Sequence, residues 1–167
     1  MEKSGFFNSS GGDRVYDASD FASYFGKLVS NGIFYGNASN LQVQVGDGMS
    51  VNVLAGSAWI NGYVYENTEP LMLELSIADG VNPRIDRVVI RWSAIDREIK
   101  LAVLTGMAVA SPVAPDLTRN NDVYELGIAE IHIPQGAISI PTQNIIDTRL
   151  DPSLCGTVNS LVTAVYE

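Results

Sequence analysis

A strict alternation of apolar and polar side chains, beginning at Leu41, constrains the fold of this chain more than any other feature. Residues 41–45 read Leu-Gln-Val-Gln-Val, and the alternation resumes over residues 49–53 after the turn dipeptide Asp47-Gly48. Neighbouring side chains of a strand point to opposite faces of a sheet, so this pattern predicts an antiparallel hairpin with one buried face.

A second hairpin is predicted around Asn61-Gly62, because both residues tolerate the positive φ that a two-residue hairpin turn requires. The segments on either side of this turn are Ala-Trp-Ile and Tyr-Val-Tyr. The turn would set two cross-strand pairs, Trp59 with Val64 and Ile60 with Tyr63. Since both faces of this hairpin are apolar, we expect it to be covered on both sides.

A third hairpin is predicted over residues 84–105, with Asp96-Arg97 as its turn. The apolar pairs expected on its buried face are Ile90 with Val103, Trp92 with Leu101 and Ala94 with Ile99. Residues 69–78 are ambiguous and could form a strand with apolar side chains on both faces. Further strands are predicted over residues 123–133 and 145–149, and the proline-containing residues 106–121 predict a long surface loop.

One early helix is predicted over residues 17–31. Asp17, Ser19 or Asp20 can cap its N-terminus, because their side-chain oxygens accept the free amide donors there. Four apolar residues share one helical face, namely Phe21, Tyr24, Phe25 and Leu28. Gly32 would end the helix in a left-handed conformation. This face favours packing on a sheet over binding a cofactor.

The pattern as a whole predicts a mainly β fold, an antiparallel β-sandwich or barrel with the N-terminal helix packed on it. Residues 1–16 form an arm in this interpretation, and residues 17–151 form the helix-plus-sandwich domain. Leu161 and Val165 lie four residues apart, which indicates that residues 152–167 begin a C-terminal helical connector. We expect the native chain to continue beyond this connector.

Composition and charge argue against several functions. The formal net charge is -9, which disfavours binding to nucleic acids and to anionic membranes, because both need a basic face. No apolar run of about 18 residues is present, so we expect no membrane insertion. The first residues lack the apolar core of a signal peptide, so we expect synthesis in a cytoplasm.

The sequence contains few groups suited to catalysis. His132 is the only histidine and Cys155 the only cysteine, so a typical zinc site cannot form. Alternation places His132 opposite its two flanking isoleucines, which favours a solvent-facing or hydrogen-bonded histidine over a general base. We interpret Cys155 as a small buried apolar residue. We therefore expect no enzymatic activity, no catalytic residues, no metal and no cofactor.

Two dense charge clusters stand where strands are expected to begin and end. Arg84, Asp86 and Arg87 form the first cluster, and Asp147 and Arg149 form the second. A chemical interpretation would be an anion or sugar site. We favour structural ion pairs that fix where the chain joins and leaves the sheet. If such a pair is buried, removing one partner strands a charge.

Several segments, in this order and spacing, resemble a family of phage tail proteins. The N-terminal segments are Ser4-Gly5-Phe6-Phe7-Asn8-Ser9, the stretch 12–18 and the stretch 21–33. The later segments are residues 48–53, 56–62 and 84–89, then Pro115, Tyr124-Glu125-Leu126 and Asp147-Thr148-Arg149. The chain resembles the N-terminal modules of baseplate upper proteins and of tail-fibre or receptor-binding proteins in phages and prophages of Gram-positive bacteria.

This resemblance implies a structural component of the virion tail. In that family the N-terminal module anchors the host-attachment protein to the tail tip, and a distal part contacts the host surface, including its glycans. The assemblies are usually homotrimers that also contact other tail-tip proteins. We take Phe6, Phe7, Leu161 and Val165 as candidate subunit-contact residues. The Phe6-Phe7 pair could instead dock on its own domain.

Two other functions stay open at this point. A carbohydrate-binding module that contacts the host cell wall would present exposed aromatic side chains, with Tyr35, Tyr63 and Tyr65 as candidates. A wall-polymer hydrolase would need paired carboxylates, which the sequence cannot select among nineteen acidic residues. His132 is the only base that could be nominated for such an enzyme.

Overall fold

The computed structural model describes residue 2 and residues 4–162. This part of the chain contains one α-helix, ten strands and one short 3-10 turn. The helix is α1 (Ala18–Phe25), and the turn is Thr142–Asn144. The strands are β1 (Gly32–Ile33), β2 (Val43–Val45), β3 (Ser50–Val53), β4 (Gly56–Ile60), β5 (Tyr63–Asn67), β6 (Leu71–Glu74), β7 (Arg84–Ser93), β8 (Glu98–Leu104), β9 (Val123–Ile133) and β10 (Ile145–Asp147).

The strands form three antiparallel sheets around a shared apolar core. The sheet orders are β1-β4-β5, β2-β3-β6 and β10-β9-β7-β8. All three sheets contribute fully buried side chains to the core, among them Ile33, Val51, Val53, Ile60, Ile90, Leu126 and Ile131. The predicted mainly β sandwich is confirmed, and the described strands do not close into a barrel.

Both early hairpins form, and the second has the predicted register. Val45 pairs with Val51 across the Asp47-Gly48 turn, and Ile60 pairs with Tyr63 across the Asn61-Gly62 turn. Asn61 has φ 52° and Gly62 has φ 86°, as a turn of this hand requires. The expectation that both faces of the second hairpin are covered is wrong at Val64, which is 63% exposed. β5 is an edge strand, and no neighbouring strand shields this position.

The β7–β8 hairpin differs from the predicted register by two residues. Ile90 pairs with Leu101 and Trp92 with Ile99, so the connection has four residues instead of two. Ser93 Oγ donates to Asp96 Oδ2 (2.8 Å) and accepts from the Asp96 N–H (3.1 Å), which stabilises the longer turn. A shift of two residues keeps every side chain on its predicted face, because the pleat repeats every two residues.

Helix α1 is shorter than predicted and ends at Gly26 instead of near Gly32. Its N-terminus has the predicted cap, since Asp17 and Asp20 form a reciprocal capping box. The helix packs on the β4–β5 turn, and Ala22 is its one buried residue. The chain leaves the helix early because the following residues pair with the C-terminal segment.

Residues 152–154 of that C-terminal segment form a turn and residues 156–162 form no helix, so the predicted start of a helical connector is wrong for the described part. The Ser30 N–H donates to Asn159 O (2.9 Å), and the Leu161 N–H donates to Leu28 O (2.8 Å). These long-range bonds replace the local ones that a helix would need, and they place the segment beside the end of α1. Residues 163–167, including Val165, lie outside the described residues.

The contact between α1 and the β4–β5 turn predicts a large effect of replacing Gly62 by alanine. A Cβ at Gly62 would lie 2.0 Å from Ala22 O and would also require a left-handed backbone for alanine. We expect Gly62→Ala to lower the free energy of unfolding by about 3 kcal/mol, from strain and overpacking together. Urea denaturation followed by circular dichroism measures this loss.

Gly48→Ala is the matched control. Gly48 also has positive φ (61°), but the nearest atom to an added Cβ is Ile138 O at 3.8 Å. Only the backbone strain remains there, so we expect a loss of about 1 kcal/mol. Equal losses in the two variants would show that seating of the helix on the turn contributes nothing to stability.

Candidate attachment surface and buried ion pairs

The N-terminal arm docks on its own domain through aromatic contacts. The Tyr16 hydroxyl accepts from the Phe7 N–H (2.9 Å) and donates to Phe7 O (3.2 Å), which holds the arm against the chain before α1. The Phe6 ring stacks on Tyr16 with ring centroids 5.6 Å apart, and it contacts Tyr24 edge-on at 5.1 Å. The open possibility that Phe6-Phe7 docks on its own domain is therefore what the structure shows.

These rings continue into a row of aromatic side chains along the helix and the adjacent sheet. Phe25 contacts Trp59 on β4 with centroids 5.9 Å apart, and Trp59 contacts Phe34 at 6.5 Å. We call this row the aromatic ridge, and its members are Phe6, Phe21, Tyr24, Phe25, Phe34 and Trp59. Three parts of the chain thus contribute to one surface: the arm, α1 and the first sheet.

The aromatic ridge is exposed to an unusual degree. Its five members other than Trp59 leave 41–48% of their surface in solvent, and the neighbouring Phe7 leaves 58%. Trp59 Nε1 is buried and has no acceptor among the described residues. Soluble monomers rarely expose contiguous apolar patches of this kind, and aromatic residues are enriched where proteins contact each other.

The candidate subunit-contact residues are only partly brought together. Phe6 belongs to the aromatic ridge, while Phe7 lies beside it with the Arg14 guanidinium 5.2 Å from its ring centroid. Leu161 is half exposed and hydrogen-bonds through its backbone to Leu28, three residues after Phe25. Phe21, Tyr24 and Phe25 were predicted as a buried helical face, whereas the structure leaves all three substantially exposed. Phe6 of the N-terminal arm covers part of that helical face, and the rest of it is exposed to solvent.

The first charge cluster forms a buried pair at the start of β7. Arg84 Nε donates to both oxygens of Asp86 (3.0 and 3.2 Å), and the Arg84 side chain is 5% exposed. Asp86 also accepts from the Gly106 N–H (2.9 Å), and Arg84 Nη1 donates to Ile77 O (2.7 Å). The pair therefore fastens the segments before β7 and after β8 to the same strand.

The second cluster forms a bidentate pair at the end of β10. Arg149 Nε and Nη2 donate to the two oxygens of Asp147 at 2.9 and 2.7 Å. Arg149 Nη1 donates to Ala38 O and Asn40 O, and its guanidinium lies over the Tyr35 ring. The hydrogen bond from Arg149 holds the pKa of Asp147 below its ordinary value. This arginine joins β10 to the loop before β2.

Two further ion pairs lie on the outer face of the four-stranded sheet, and their acids were not identified from the sequence. Arg87, which the sequence grouped with Arg84 and Asp86, pairs instead with Glu130 (2.6 Å), and Arg91 pairs with Glu125 (2.7 Å), each directly across the β7–β9 ladder. Glu125 is fully buried although it lies opposite the apolar core. Finding these pairs requires the β7–β9 register, including its bulge beside Val88, and the sequence pattern did not supply that register.

The long loop 106–121 buries Glu125. The Thr118 N–H donates to Glu125 Oε2 (2.7 Å), and the Glu125 N–H donates to Thr118 O (3.0 Å). Arg119 Nη2 reaches Leu154 O (2.7 Å), which ties the loop to the C-terminal turn. The loop is on the surface as predicted, but it lies against the sheet as a cover with fixed hydrogen bonds.

The two residues considered for catalysis lie in ordinary surroundings. His132 is exposed on the face opposite Ile131 and Ile133, as alternation predicted. Cys155 is buried, and burial raises the pKa of its thiol to about 12, so it stays protonated at neutral pH. Among the described residues no three or more histidine, cysteine or acidic side chains are grouped to hold a metal. The described helix is too short to cross a membrane.

Two of the three tyrosines considered for sugar binding line one open groove. The groove, of about 760 Å³, runs between the edge strands β5 and β8, and its walls include Tyr63, Tyr65 and Trp92. Tyr63 and Trp92 have ring centroids 5.9 Å apart at an interplanar angle of 34°. Tyr35 does not line this groove and lies under Arg149 instead.

Comparison with known proteins adds no relative: no protein-family model, no curated protein and no solved structure matches this chain.

The buried pair at the start of β7 predicts a strong stability effect. Asp86→Ala would leave the Arg84 guanidinium and the Gly106 N–H without their shared acceptor inside the protein. We expect the free energy of unfolding to fall by about 3–5 kcal/mol, measured by urea denaturation. Glu98→Ala removes the acid of the exposed pair with Lys100 and should leave stability nearly unchanged. A small loss in Asp86→Ala would contradict the structural role of this pair.

The lowered pKa of Asp147 predicts a pH-dependent contribution to stability. Its ionised form is favoured in the folded state, so the contribution is present above the unfolded pKa of about 3.9 and is lost as pH falls through the lower folded pKa. We expect Asp147→Asn to reduce stability by about 1 kcal/mol at pH 7, because the carboxylate is half exposed. The difference from the native protein should shrink below about pH 4 in thermal melts. A constant difference would contradict this account.

Proposed function

We propose that this chain is a non-enzymatic structural module of a phage tail tip, which anchors and oligomerises the host-attachment protein. The proposal places it in the virion tail, as the N-terminal part of a baseplate upper protein or of a tail-fibre or receptor-binding protein. Support comes from the ordered resemblance that covers nearly the whole sequence. The aromatic ridge, an exposed apolar surface built from several parts of the chain, supports it independently.

The aromatic ridge carries this proposal because of its composition and its charge context. The net charge of -9 makes identical copies of the chain repel one another at long range. Burial of the half-exposed phenylalanines of the ridge supplies the apolar area that favours association. We propose a homo-oligomer, a trimer by the resemblance, that also contacts other tail-tip proteins.

The ion pairs of the two charge clusters fit the structural role in this proposal. Arg84–Asp86 and Arg149–Asp147 each join segments that are distant in sequence through several hydrogen bonds. The helix that carries the ridge is itself seated on the β4–β5 turn at Gly62. A partner bound to the ridge would therefore be connected to the sandwich through the packed backbone of α1 and the β4–β5 turn, and not through the N-terminal arm alone.

A charge placed in the ridge tests the proposal. Phe21→Asp puts a carboxylate into the aromatic ridge, while an acid in the first turns of a helix is compatible with its dipole. We expect oligomers of the full-length protein to dissociate, with the dissociation constant raised about 30-fold or more, as for an aromatic hot-spot residue of an interface. Light scattering after size exclusion measures the mass.

Ile138→Asp is the matched control, because Ile138 is 85% exposed and lies in the loop after β9. It carries the same change of charge outside the ridge and should leave the oligomer intact. Circular dichroism checks that both variants fold. A native protein that is monomeric at all concentrations, or a Phe21→Asp variant that stays oligomeric, would contradict the proposal.

A further inference from the structure

The groove between β5 and β8 combines an aromatic floor with charged groups that have no partner. Tyr63 and Tyr65 on β5 face Trp92 at the end of β7, and the groove volume is within the range of small-molecule sites. Its rim includes Glu66 and Arg97. Within the described part of the chain, neither side chain makes an ion pair or a side-chain hydrogen bond. The other acid of the rim, Glu98, is paired with Lys100.

We infer that this groove binds a neutral oligosaccharide, with the rings of Tyr63 and Trp92 under a sugar face and Glu66 and Arg97 at its hydroxyls. Pyranose rings have an apolar C–H face that packs on aromatic rings, and their hydroxyls both donate and accept hydrogen bonds. The unpaired carboxylate supplies acceptors only, and the unpaired guanidinium supplies donors only. Together they can satisfy both properties of a hydroxyl-rich ligand.

The negative net charge of the protein favours neutral saccharides over polyanionic ones. A net charge of -9 repels polyanionic polymers, so a phosphate-rich ligand is disfavoured. Arg97 and Glu66 on the rim carry opposite charges, and Glu98 is balanced by Lys100, so the rim carries no net charge, which matches a neutral ligand. This inference goes beyond the proposed anchoring role and does not depend on it, because the groove does not include any member of the aromatic ridge.

Part of the groove also has a structural role, which decides how it is tested. Tyr65, Trp92 and Ile99 pack against the buried core, so truncating them would disturb folding. Tyr63 is not among the side chains packed on the core, and Arg97 stands in the β7–β8 turn with φ 55°. Arg97→Gly removes the guanidinium and relieves this left-handed strain, so it should not destabilise the fold.

The test is a titration of the isotopically labelled protein with chitotetraose, cellotetraose and maltotetraose, each to about 10 mM, followed by amide and indole NMR shifts. We expect at least one sugar to bind with a dissociation constant on the order of 1 mM. The indole resonance of Trp92 should move and that of Trp59 should not. Tyr63→Ala and Arg97→Gly should each weaken binding about tenfold or more, and Tyr63→Phe should retain it.

Tyr35→Ala is the control for loss of a tyrosine outside the groove and should leave the titration unchanged. The inference is overturned if none of the three sugars moves the Trp92 indole resonance. It is equally overturned if the shifts persist in Tyr63→Ala, or if groove resonances move with protein concentration alone, which would identify a second copy as the occupant. Loss of oligomerisation without loss of sugar shifts would bear on the anchoring role only.

Discussion

The antiparallel ladder between β7 and β9 is the interaction on which the rest of the structure depends. It joins two long strands of ten and eleven residues and lies at the centre of the four-stranded sheet. One face of the ladder supplies Ile90, Leu126 and Ile131 to the core. The other face carries two cross-strand ion pairs under the long loop. The buried Glu125 carboxylate on this face needs hydrogen-bond donors, and Arg91 across the ladder and the Thr118 N–H of the loop supply them.

Two features of this molecule contrast with each other: several charged side chains are buried, whereas a group of aromatic rings is exposed. Arg84 and Arg149 are buried and fix other segments to strand ends, and the buried Arg87 joins β7 to β9. The rings along α1 and in the N-terminal arm remain in solvent, although they are the side chains most favoured in interiors. The ion pairs of these arginines therefore hold loops and neighbouring strands onto the β-sandwich. The apolar surface that they leave free is available to another protein.

Much of the fold follows from the sequence pattern, and the failures have specific physical causes. The Asn61-Gly62 turn predicted the register of its hairpin, because the chemistry of a positive-φ turn is local. The β7–β8 register was off by two residues, since the Ser93–Asp96 hydrogen bonds of a four-residue turn compete with a two-residue one. Helix α1 was predicted too long and the C-terminal segment was predicted helical, because the pairing of residues 28–33 with 156–161 is long-range. Of the candidate site, the charged residues at strand ends were identifiable, but Arg91 and the acids Glu125 and Glu130 were not.

The sequence by itself determined the period-two patterning, the hairpin turns, the helix cap and which faces of the strands are apolar, because each depends on residues within a few positions of one another. The tertiary structure alone decided that three sheets share one core and that Arg87 pairs with Glu130. It also decided that the aromatic face of α1 stays exposed and that Tyr63 and Trp92 line one groove. These features depend on which edges and faces meet across long stretches of chain, and local preferences do not encode that choice.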